Sequence, residues 1–271
     1  MTSSNRILVS LSSFGAAEVK RHGQGWFVGL CGAAGADGVE IRGELLQAGC
    51  GGSGLGPEMS GEGGAELREL SVLIRGLGLD CVYSSPEALW SAHGELCAAA
   101  LERGLQAAAM LSAPVLKMSI GGYGKAARSS LAVLAQRLEG RGIELLIEND
   151  QTGAAGSLHA LEGFFADADR AGLPLGMTFD VGNWHWAGEC PLQAAQAFAG
   201  RVRYVHCKGV QRQPARWVAV PLPDSAAPWR AVMRAMPRGL PCAIEYPLAG
   251  EDLLAVTRGA VQQLRDLEVC L

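Results

Sequence analysis

Charge is scarce in this sequence, and so is histidine. Asp, Glu, Lys and Arg make up only 18% of the 271 residues, and the formal net charge is -4. No general attraction to a phosphate backbone or an anionic membrane follows from such a balance, so neither nucleic acid nor a membrane is an expected partner. No stretch approaches the ~18 uninterrupted apolar residues that would announce a membrane span. The eight cysteines (Cys31, Cys50, Cys81, Cys97, Cys190, Cys207, Cys242 and Cys270) never form a Cys-x-x-Cys pair, and most have apolar neighbours, as small core residues do. That usage fits a reduced, cytoplasmic protein. At the N-terminus, Ile7-Leu-Val-Ser-Leu imitates a secretory signal only faintly, because Ser10, Ser12 and Ser13 break the apolar run. The segment reads as a first strand.

What the chain does have is apolar content, 49% of all residues, arranged in short runs. Eight β-rich runs stand at 6–13, 38–43, 79–84, 113–119, 143–148, 175–181, 202–208 and 241–246. Segments with helical spacing lie between them, at 65–77, 87–104, 125–139, 157–171, 191–199, 225–236 and 251–268. Ser157 is placed to cap one helix, Gly172 sits where that helix should end, and Pro86 lies just ahead of another. Alternating strands and helices call for a parallel sheet covered by helices. Eight such units in a chain of this length favour an α/β fold with a single (β/α)₈ TIM barrel over residues 1–271, since such barrels take ~250 residues.

One stretch breaks the rhythm. Ala48 to Gly64 holds eight glycines and Pro57 and would be the loop after the second strand, at the face where barrels build active sites. A flap over the substrate or a plain insertion would both fit it. Gly49-Cys-Gly-Gly-Ser-Gly54 satisfies G-x-G-x-x-G but lacks the first-strand setting of a dinucleotide fingerprint. Gly121-Gly-Tyr-Gly-Lys125 offers either a phosphate cradle or simply a turn.

Four polar residues end four successive apolar runs. Glu148 follows Ile143-Glu-Leu-Leu-Ile, Asp180 follows Gly176-Met-Thr-Phe, His206 follows Val202-Arg-Tyr-Val, and Glu245 follows Cys242-Ala-Ile. The intervals are 32, 26 and 39 residues, each about one strand, one helix and their loops. A single acidic strand end is ordinary. Four at unit spacing converge on one barrel mouth, where three carboxylates without a cation would repel one another and lose hydration. A divalent ion resolves the conflict. Oxygen ligands with one imidazole suit Mn²⁺, Mg²⁺ or Co²⁺, with Zn²⁺ admissible, and four protein ligands leave two positions for a substrate's adjacent hydroxyl and carbonyl oxygens.

Glu144 shares the parity of Glu148 and should point inward near the barrel floor, beside solvent or a basic partner. Other residues near the mouth are candidate substrate contacts. Lys208 lies two residues past His206, and Lys117 is an odd lysine in an apolar strand, which either reaches the mouth or is a paired structural lysine. Glu40 and Arg42 end the second strand, and Trp184, His185 and Trp186 follow Asp180 as a wall with a polar tip.

Leu146-Ile-Glu-Asn-Asp, Thr178-Phe-Asp-Val-Gly-Asn, Val205-His-Cys-Lys and Ala243-Ile-Glu-Tyr together resemble the xylose isomerase-like TIM-barrel superfamily of sugar isomerases, epimerases and dehydratases, which also contains endonuclease IV. In ketose 3-epimerases the residues matching Glu148, Asp180, His206 and Glu245 hold one divalent ion. Those matching Glu148 and Glu245 also act as the acid and base pair through a cis-enediolate. Arg212 matches an arginine used on substrate oxygens. The resemblance thus implies a metal-dependent isomerase or epimerase of a small sugar or keto-polyol. A dehydratase and a sugar-binding barrel without turnover are the competing readings, and a homodimer is compatible with it.

The departures are specific. Asn183 stands where such epimerases carry histidine, with His185 two residues on, and Ala154 replaces a glutamate. A trinuclear endonuclease centre is out of reach, because the chain has five histidines and His22, His93 and His159 fall in predicted helices.

Overall fold

Eight parallel strands close into a barrel in the computed structural model, which describes residues 6–46 and 62–269. In chain order the elements are β1 (Ile7–Ser10), α1 (Ala16–His22), α2 (Gln24–Ala33), β2 (Gly38–Arg42), α3 (Glu62–Gly76), β3 (Asp80–Ser84), α4 (Ala98–Leu111), β4 (Val115–Met118), α5 (Ser130–Leu138), β5 (Glu144–Glu148), α6 (Leu158–Arg170), β6 (Gly176–Asp180), α7 (Pro191–Phe198), β7 (Val202–Cys207), β8 (Gly209–Arg212), β9 (Trp217–Val220), α8 (Trp229–Arg234), β10 (Cys242–Ile244) and α9 (Leu253–Val269). The barrel runs β1-β10-β7-β6-β5-β4-β3-β2, and β8 with β9 forms a separate antiparallel hairpin. The α/β barrel expected from the sequence is therefore the fold. No helix among the described residues is long and apolar enough to cross a membrane.

Strand alternation divides the core in two. Outward side chains such as Ile7, Ile41, Leu116, Ile147 and Phe179 join the helices in one large apolar cluster. Inside, Leu8, Val82, Leu146 and Tyr204, from alternate strands, form a layer closed off by Ala243. Above that layer the lining turns polar, with Glu40, Lys117 and Thr178 buried within the barrel. Glu144, two residues before Leu146, is solvent-exposed at the opposite end, so its charge remains hydrated as expected.

Several local expectations need correction. The helix over 87–104 starts only at Ala98. The Ser91 hydroxyl accepts from the backbone N–H groups of His93 and Glu95, which holds a turn in place of a helix. Pro86 therefore precedes a loop, and His93 lies in that turn. The same loop explains Gly121 and Gly122: a Cβ on either would collide with the carbonyl of Trp90 or Ser91, and Gly122 N–H donates to Trp90 O. Those glycines serve close backbone approach. The stretch 48–61, including Gly49 to Gly54, lies outside the described residues, while Gly63 and Gly64 belong to α3.

The helix at 157–171 is present as α6, and Ser157 Oγ accepts from Ala160 N–H at 3.3 Å. On its buried face Asp167 accepts from Tyr123 Oη (3.2 Å) and Arg128 Nε (2.7 Å), tying α6 to the connection after β4.

Candidate metal centre

Inward parity brings β2, β4, β5, β6, β7 and β10 to a common point near the C-terminal end of the barrel. Glu148, Asp180, His206 and Glu245 each offer one ligand atom there, and these four atoms lie within 4.8 Å of one another. Ligands ~2.1 Å from one ion stand at most about 4.2 Å apart, so the donors need only a slight contraction to share one. The donor chemistry, three carboxylate oxygens and one imidazole nitrogen, fits a hard or borderline divalent cation.

Each donor is aimed by its own local structure. Asp180 Oδ1 is occupied by the backbone N–H groups of Gly182 (2.8 Å) and Asn183 (2.9 Å), which leaves Oδ2 for the centre. Asn149 bridges β5 to β6, donating to Asp180 O and accepting from Asp180 N–H. His206 Nδ1 lies 2.8 Å from Glu245 Oε2, 3.1 Å from Glu148 Oε1 and 3.7 Å from Asp180 Oδ2. The side chains of Asp180 and His206 are fully buried. Those of Glu148 and Glu245 are 17% and 11% exposed. Asp180 and His206 form the floor, and the two glutamates its open rim.

Cations interleave with these acids. Lys117 Nζ lies 3.0 Å from Glu148 Oε1 and 3.1 Å from Glu40 Oε1. Lys208 Nζ reaches Asp180 Oδ2 at 2.7 Å, Glu245 Oε2 at 2.8 Å and Asn183 Oδ1 at 3.1 Å. Arg42 Nη1 lies 3.0 Å from Glu40 Oε1 and 3.1 Å from Glu245 Oε1. Arg42 also pairs with Glu44 at 2.8 Å, so five carboxylates surround three permanent cations, with the His206 imidazole among them. Burial would lower the His206 pKa, but Glu245 and Glu40 outweigh it and raise it well above the usual imidazole range. Burial would likewise raise Glu245, yet His206 and Lys208 hold it well below the carboxylate range. Glu148 is lowered, with Lys117 the main force against burial, whereas for Asp180 burial prevails over Lys208 and the pKa is raised.

The substrate candidates separate. Lys208 joins the cluster. Glu40 and Lys117 join it from below, buried with their charged atoms engaged by neighbouring side chains, which is the paired, structural placing of Lys117 and sets Glu40 beneath the four donors and away from the mouth. The expectation for Trp184 is corrected. A short 3₁₀ turn at Asn183–His185 rolls its indole out of the mouth, where it is fully buried, 5.4 Å from the Phe179 ring and stacked 6.0 Å from Phe198. His185 is half-buried, its ring 4.9 Å from Trp217 on the hairpin. Burial lowers its pKa, and its Nε2 has no hydrogen-bond partner among the described residues. Arg212 is exposed on β8 with its guanidinium 5.3 Å from the centroid of the same indole. Trp217 was not anticipated, because the hairpin that carries it was not. Asn183, in place of histidine, accepts from Lys208 and Gln151, and Ala154 is exposed in the loop after β5.

A family model described as a xylose isomerase-like TIM barrel matches residues 28–267. The chain belongs to that family. No curated protein matches it in sequence. Among solved structures, that of the probable 3-DHS dehydratase AsbF from Bacillus anthracis superposes with a TM-score of 0.67 at 13% identity, over 96% of this chain and 98% of that one. A sugar phosphate isomerase/epimerase from Parabacteroides distasonis gives 0.62 at 13% identity, over 97% and 94%. D-allulose 3-epimerase from Methylomonas sp. gives 0.61 at 14% identity, over 97% of each chain. At these identities the likeness is one of fold.

Proposed function

We propose that this protein is a divalent-metal-dependent isomerase or epimerase of a small sugar or keto-polyol, built as a single catalytic domain. The observation that carries the proposal is the division within the cluster: Asp180 and His206 are sealed, while Glu148 and Glu245 keep open edges toward the mouth. A carboxylate with one oxygen on an ion and an edge toward substrate can also move a proton. One of the two glutamates removes the proton on the carbon beside the carbonyl, and the electron pair shifts onto the carbonyl oxygen. The other glutamate returns a proton, to the opposite face for epimerisation or to the neighbouring carbon for isomerisation. Lys208, buried at the edge of the cluster, is a cationic partner for the developing oxyanion. A divalent ion would be held by Glu148, Asp180, His206 and Glu245 and would supply Lewis-acid polarisation of the carbonyl oxygen as negative charge develops on it. His185 and Arg212, 4.9 Å and 5.3 Å from the centroid of the Trp217 ring, are the proposed outer contacts for hydroxyl groups. The expected setting is the cytoplasm.

A second reading comes from the barrel named as a dehydratase: the abstracted proton is not returned and a β-hydroxyl departs as water. Incubation with Mn²⁺ and candidate ketoses in D₂O separates the two. Deuterium at carbon without loss of water supports the isomerase, an unsaturated product supports the dehydratase, and binding without exchange sinks both. Glu148→Gln should slow exchange by roughly 10²–10⁴-fold while Mn²⁺ still binds. Full exchange in that variant would remove Glu148 from the chemistry.

A further inference from the structure

The two nitrogens of His206 face different groups. Nδ1 looks up into the acidic cluster, within 2.8–3.7 Å of Glu245, Glu148 and Asp180. Nε2 looks down to Glu40 Oε2 at 2.7 Å, and both side chains are fully buried. Glu40 cannot swing away. Its other oxygen is pinned by Ser10 Oγ (3.2 Å), Arg42 Nη1 (3.0 Å) and Lys117 Nζ (3.1 Å), from strands β1, β2 and β4. A buried carboxylate held rigidly behind an imidazole is a device for choosing which nitrogen keeps the proton.

We propose that Glu40 is the positioning residue of the metal centre: it accepts the Nε2–H of His206 and so reserves Nδ1 as the ligand atom. This rests on the metal-dependent reading of the site. A neutral imidazole carries one N–H, and a carboxylate at Nε2 holds it there, which leaves the Nδ1 lone pair free and more basic. Ring orientation is fixed by the same contact, because rotating Nε2 away would strand Glu40 without its partner. Lys117 extends the arrangement. Its ammonium joins Glu40 to Glu148, so the group that orients the imidazole and one carboxylate ligand share a cation.

The test uses the full chain. With Zn²⁺ bound, nitrogen-15 NMR of labelled histidine should show a slowly exchanging proton on Nε2 of His206, identified by its loss in His206→Asn. Mn²⁺ titration calorimetry should find Glu40→Gln weaker by ~10–100-fold, with Glu40→Asp intermediate because the charge is kept. A proton on Nδ1 in the loaded protein, a wild type that binds no divalent ion, or Glu40→Gln within about twofold of wild type would overturn the assignment. If Glu40→Gln does not fold, the wild-type spectrum decides. A protein that binds Mn²⁺, loses affinity in Glu40→Gln and moves no deuterium on any ketose refutes the isomerase reading and leaves Glu40 in its role.

Discussion

At the scale of the residue, the chemistry centres on one imidazole and the charges around it. Glu245 and Glu40 outweigh the burial of His206 and raise its pKa, which favours a proton on Nδ1 where no ion competes for it. An ion taking Nδ1 must displace that proton. Metal binding at neutral pH is therefore expected to release about one proton, measurable by calorimetry in buffers of different ionisation enthalpy. The sign follows from the raised pKa: below it, a falling pH favours the protonated, metal-free form, so affinity should drop by up to about tenfold per pH unit. Binding with no proton release would mean that His206 is not a ligand. The four donors were legible in the sequence because each ends an apolar run, and side-chain parity then dictates convergence. The roles beneath them were not. Glu40 and Lys117 follow the same parity as substrate contacts would, and only the depth of each layer separates support from contact.

Elements show where local signals suffice. The eight barrel strands fall within the apolar runs, because a buried parallel strand reads as a continuous hydrophobic stretch. Helix α2 and the β8–β9 hairpin escaped assignment, and α1 was marked only by the placing of His22 in a helix. Gly25, Gly29 and Gly32 dilute the helical signal of α2, and each hairpin strand is only four residues long. Capping chemistry was readable at α6. Ser157→Ala there should cost about 1 kcal/mol, seen as a lower urea midpoint at unchanged slope. Because α6 packs outside the barrel, Mn²⁺ affinity should not change. A loss of affinity would show that the helix layer sets the ligand geometry.

At the scale of the whole molecule, the barrel concentrates its ionic cost in one place. Glu40, Lys117, Asp180, His206 and Lys208 are all buried at the heart of the closed sheet. Such a cluster repays its desolvation only through close pairing, and a missing partner leaves a buried charge uncompensated. An ion held by the four donors would tie together four successive strands, β10, β7, β6 and β5, along one half of the barrel wall, so its binding would be coupled to the integrity of that wall. Free ion at 100 times its dissociation constant adds ~2.7 kcal/mol to the folded state. For a domain of this size that is a rise of about 5–10 °C in the unfolding midpoint. Calorimetric scans with EDTA and with excess Mn²⁺ should show that gap. It should widen as pH rises toward the His206 pKa, since less proton then competes for Nδ1. Equal midpoints under both conditions would mean that Lys117, Lys208 and Arg42 already satisfy the acids, and that the cluster is a salt-bridge network with no need of an ion.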